Sequence, residues 1–66
     1  MEKVYTDVMV VGYRRGHRHA SFCRRANKPL TESQMDKLLA YGINDGSFDR
    51  VVVFVNHDQI YAEWKR

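Results

Sequence analysis

Phe48-Asp49-Arg50-Val51-Val52-Val53-Phe54-Val55-Asn56-His57-Asp58-Gln59-Ile60-Tyr61-Ala62-Glu63-Trp64-Lys65 reads as two strands, 48–56 and 59–65, joined at His57-Asp58. Valine and the aromatics suit a pleated surface, and Asn, His and Asp tolerate the positive φ of a tight turn. Pairing Asn56 with Gln59 sets Val55 opposite Ile60, Val53 opposite Ala62 and Val51 opposite Trp64, all on one face. That face needs a cover. The reverse face then carries Val52, Phe54 and Tyr61 beside Glu63 and Lys65, more apolar than a solvated surface, and these three residues form the expected oligomer interface.

The cover lies just upstream. Thr31 followed by Gln34 is a capping box that satisfies two orphan amides, and Leu30 before it can staple onto Met35. Met35, Leu38, Leu39 and Ile43 then share one face. Gly42 offers the left-handed residue of a C-terminal stop, so the expected helix is 32–41. Further upstream, 4–13 is rich in β-branched and aromatic residues, a glycine turn follows, and 19–25 resumes as a strand. A two-residue Arg15-Gly16 turn would set Met9 beside Phe22, whereas a longer loop would set Val10 there. The expected fold is α+β of order ββαββ, a four-stranded, largely antiparallel sheet with one short amphipathic helix on one face.

Size and composition narrow the function. Sixty-six residues with 44% apolar and 29% charged content fit a single small domain spanning 1–66. A chain this short buries only about 60% of its unfolded surface, which favours a partner or a second copy. It leaves no room for a large enclosed active site. No run approaches the roughly 20 apolar residues of a membrane span, no signal-peptide pattern opens the chain, and the single Cys23 cannot form an internal disulfide, so a reducing, cytoplasmic setting is expected. Cys23 itself is expected to be buried in its strand.

Charge is distributed by position. Residues 1–28 hold seven Lys or Arg against two Asp or Glu, and residues 29–66 hold four against six. Three arginines and two histidines crowd the six residues Arg14-Arg15-Gly16-His17-Arg18-His19, with Arg24, Arg25 and Lys28 behind them. Guanidinium forks match phosphate bidentately, and protonated imidazoles would add to the same basic pole. Tyr5 and Tyr13 in the same hairpin are candidates to stack on bases. These residues predict a regulatory module that contacts nucleic acid or another phosphate-rich ligand.

Other chemistries are less well supported. Imidazole and thiolate bind zinc, yet the arginines around His17, His19 and Cys23 repel a dication, so no metal or cofactor is assigned. The paired-histidine nuclease motif has an apolar residue between its histidines, where this chain has Arg18. No nucleophile has a local activator, so no catalytic residue is named and no enzyme is expected. The alternative reading is an inhibitor of a host protein, of the kind small bacteriophage products supply, whose Glu32, Asp36, Asp45, Asp49 and Asp58 mimic phosphates. A homo-oligomeric structural protein is the third.

Overall fold

The computed structural model describes residues 3–66. Seven elements follow in order: β1 (Val4–Tyr5), β2 (Met9–Tyr13), β3 (Phe22–Arg25), β4 (Leu30–Thr31), α1 (Glu32–Asn44), β5 (Arg50–Val55) and β6 (Gln59–Lys65). The fold is α+β, with a four-stranded antiparallel sheet of order β3-β2-β5-β6 and a separate two-stranded pair β1-β4. The two short strands are additions to the expected order. Residues 4–13 do not form one strand, because Asp7 takes a positive φ of 52° and turns the chain between β1 and β2. The pairing of β1 with β4 ties this segment to the base of α1. Among the described residues no helix is long and apolar enough to cross a membrane.

α1 starts as its sequence dictates. The Thr31 hydroxyl accepts from the Gln34 amide at 3.4 Å, and the Gln34 side-chain oxygen accepts from the Thr31 amide at 2.9 Å. Its end lies beyond Gly42. Gly42 is buried inside the helix, where an added Cβ would come within 2.9 Å of a Val51 methyl, so the missing side chain serves close packing on β5. The left-handed residue is Gly46, at φ 78°, which follows the cap residue Asp45 and donates to the Ile43 carbonyl.

The core forms between α1 and the sheet. Val8, Val10, Met35, Phe48, Val51, Val53 and Val55 are buried there, with Leu30, Leu38, Leu39, Ile43 and Trp64 packed around them. Val51 opposes Trp64 and Val53 opposes Ala62, as parity requires. Beyond Val53 the register slips. Phe54 pairs with Ile60 and Val55 with Gln59, so Tyr61 is the extra residue of a bulge. The bulge exchanges two faces. Tyr61, expected on the reverse face with Val52 and Phe54, turns to the helix side, where its hydroxyl donates to Asp36 at 3.3 Å and its ring meets Tyr5 edge-on at 5.0 Å. Ile60, expected in the core, is 54% exposed beside Phe54.

The open face also differs from expectation. Val52 is fully buried within one copy of the chain, flanked by Val11 and Glu63 in its row. In the next row Arg50 lies over the Tyr13 ring and grips Glu63 through Nε and Nη2. Phe54 remains half-buried, so of the three expected interface residues it alone lies partly accessible on that face. Cys23 is exposed, because β3 is an edge strand and its side chain falls on the open side with Val11.

Phe48 packs its ring on the backbone of Gly12, where a Cβ would sit 2.8 Å from the root of the ring. Gly12→Ala is therefore expected to destabilise by about 1–3 kcal/mol through overpacking, read as a lower urea midpoint; an unchanged midpoint would mean that Phe48 can withdraw freely. Burial, and next the Asp36 and Glu32 carboxylates, push the Tyr61 hydroxyl above its ordinary value of 10.0. The folded state thus holds a proton that the unfolded chain releases, so stability is retained below about pH 10 and lost as pH rises through the higher folded value. Tyr61→Phe is expected to flatten that alkaline decline in urea titrations at successive pH values.

Candidate functional site

The arginine-rich segment is a loop of residues 14–21 between β2 and β3, longer than either expected turn. Gly12 consequently faces Phe22, and Val10 faces Arg24. The loop opens with a turn in which the His17 amide donates to the Arg14 carbonyl at 3.1 Å and Gly16 adopts φ 81°. It closes where the Ser21 amide donates to the Gly12 carbonyl at 2.9 Å. His17 and His19 lie within this loop rather than on a strand, and among the described residues no three metal-binding side chains cluster.

Asp49 holds the loop to the sheet. Its Oδ2 accepts from the Arg15 amide at 2.7 Å, while its own amide donates to the Tyr13 carbonyl at 2.9 Å. Its carbonyl accepts from the Arg66 amide at 2.8 Å, and Arg66 Nε approaches Oδ1 at 3.6 Å. A carboxylate that binds the loop backbone leaves the arginine side chains outside, and Arg14, Arg15, His17, Arg18 and His19 are all exposed.

Arg24, Arg25 and Lys28 continue the basic stretch along the edge of the sheet. α1 packs chiefly over β5 and β2, and a groove of about 530 Å³ lies between β3 and the helix. Val10, Phe22, Leu38 and Tyr41 supply its apolar lining, and Arg24, Arg25, Lys28 and Lys37 its charge; no carboxylate of a described residue lines it. The helix wall is a stripe with i, i+3, i+4, i+7 spacing, formed by Gln34, Lys37, Leu38 and Tyr41. On the opposite flank Asp36 faces Tyr61. The helix thus separates an acidic flank from a basic groove.

Ion pairing reinforces the separation. The pairs formed among the described residues use Arg50, Arg66 and His57. The side chains of Arg14, Arg15, Arg18, Arg24, Arg25, Lys28 and Lys37 make no hydrogen bond or ion pair with another described residue.

The aromatic candidates fall elsewhere. Tyr5 is taken up by Tyr61 and by the Lys3 ammonium 5.1 Å from its ring, and Tyr13 lies beneath Arg50 at 5.0 Å. Neither ring lines the groove. Tyr41 does, and it is 63% exposed. Sequence reading missed the groove, although the alternation Phe22, Arg24 and the helical spacing Gln34, Leu38, Tyr41 both carry its pattern.

Comparison with family models, curated proteins and solved structures finds no match to this chain.

Asp49→Ala is expected to release the loop, speeding hydrogen exchange at the Arg15 amide and costing about 1 kcal/mol of stability. Unaltered exchange at Arg15 would mean that the 14–21 loop is held by other contacts.

Proposed function

We propose that this chain is a non-enzymatic regulatory module that binds nucleic acid through phosphate contacts from the 14–21 loop and the β3 edge. The observation that carries the reading is the row of unpaired cations from Arg14 to Lys37, set apart from every ion pair formed among the described residues. Arg24, Arg25, Lys28 and Lys37 line the groove and the loop arginines stand in solvent, so all are accessible to a ligand. Phosphate suits them, because the guanidinium fork meets two oxygens at once. The exposed thiol of Cys23 is compatible with a reducing cytoplasm.

The inhibitor reading has less support. A phosphate mimic must present its carboxylates outward. Asp49 binds Arg15 and Arg66, Asp45 accepts from the Ser47 amide at 3.2 Å, and Asp36 accepts from Tyr61. Three of the five acidic residues considered for that role already have internal partners.

Replacing Arg14, Arg15 and Arg18 together with alanine is expected to flatten the slope of log affinity against log salt by about two to three units. The measurement is anisotropy of a labelled oligonucleotide over a salt series. An unchanged slope would remove the loop from the interface, and no oligonucleotide binding at low salt would remove the nucleic-acid reading.

A further inference from the structure

We infer that the groove between β3 and α1 seats an unstacked base of a single-stranded nucleic acid, with the neighbouring phosphates on Arg24, Lys28 and Lys37. The inference rests on the nucleic-acid reading above and specifies the form of ligand it takes. Phosphate contact alone needs only an exposed cation. This surface also offers an apolar recess beside the cations, and a duplex, whose bases are stacked and paired, has nothing to place in it.

Three observations favour a base as the occupant. The recess, at about 530 Å³, falls in the range of small-ligand sites, and aromatic residues stand on both walls, Phe22 from the sheet and Tyr41 from the helix. Tyr41 is a large, well-exposed ring in a helix whose other large apolar side chains pack on the core, so its ring is available for stacking.

Second, two amide side chains, Asn27 and Gln34, stand among the lining residues. Base edges carry both donors and acceptors, which amides match and ammonium groups do not. The Gln34 oxygen is already committed to the Thr31 amide, which leaves its NH2 as the group available to donate. Third, the charge among the described lining residues is of one sign. Arg24 lies on the groove side of β3, opposite Val10, while Lys37 comes from the helix wall and Lys28 from the β3–β4 connection. With cations on both walls, a strand laid along the groove meets positive charge on either side of the seated base.

The test compares three labelled probes of equal length: a single-stranded oligothymidylate, the same strand with abasic sites, and a duplex. Expected is tightest binding to the base-bearing single strand, with about tenfold or greater loss on the abasic strand. Tyr41→Ala should weaken the base-bearing strand by about tenfold and leave the abasic strand unchanged, and Tyr41→Phe should restore binding. Since Tyr41 is well exposed, the fold should survive both changes. Phe22 and Tyr41 ring resonances should shift with the base-bearing strand and stay still with the abasic one. Equal binding of base-bearing and abasic strands would overturn the inference and leave phosphate contact standing. Preference for the duplex, or polyglutamate binding as tightly as the single strand, would also overturn it. Failure of every nucleic-acid probe at low salt would overturn the nucleic-acid reading itself.

Discussion

α1 rests on the sheet at the point where Gly42 meets Val51, and the rest of the molecule is arranged around that approach. A side chain at position 42 would meet a Val51 methyl, and Val51 is fully buried in a central strand with no space into which to retreat. The glycine costs roughly 1 kcal/mol of helix propensity, and burial of Met35, Val51 and Val53 offsets it. The helix makes its main sheet contacts with β5 and β2, to one side of β3. The groove is the space left over.

Legibility in the sequence followed the local signals. The start of α1 was readable because a capping box is a chemical requirement with a fixed spacing. Its end was not, since glycine serves two purposes, positive φ and the lack of a side chain, and sequence alone does not say which one Gly42 meets. The second hairpin was readable as far as Val53. Beyond it Ile60 and Tyr61 are both apolar, so nothing in the alternation marks the bulge, and one extra residue exchanged the face of each. The strand expected from residue 19 begins at Phe22, because the loop is set by the Asp49 contact from a segment distant in sequence.

The candidate site was legible in part for the same reason. Arg14 to Arg18 announce themselves by density, and Arg24, Arg25 and Lys28 by continuity. The recess does not, since it depends on where the helix crosses the sheet. Tyr5 and Tyr13 look free in the sequence, whereas Tyr61 and Arg50 occupy them; both partners are remote in sequence. The arrangement of acids was equally invisible. Asp36, Asp45 and Asp49 have internal partners, whereas the arginine and lysine side chains of the loop and groove have none among the described residues.

β3 is short and stands at the border of the sheet with one side of its backbone unpaired. Such borders invite a strand from another molecule, and natural sheets discourage this with charge. Here Arg24 and Arg25 supply it, repelling the like-charged border of an identical chain. Any polyanion that neutralises these arginines weakens the repulsion as well. Solubility and the binding of any such polyanion would therefore be coupled through the same two side chains.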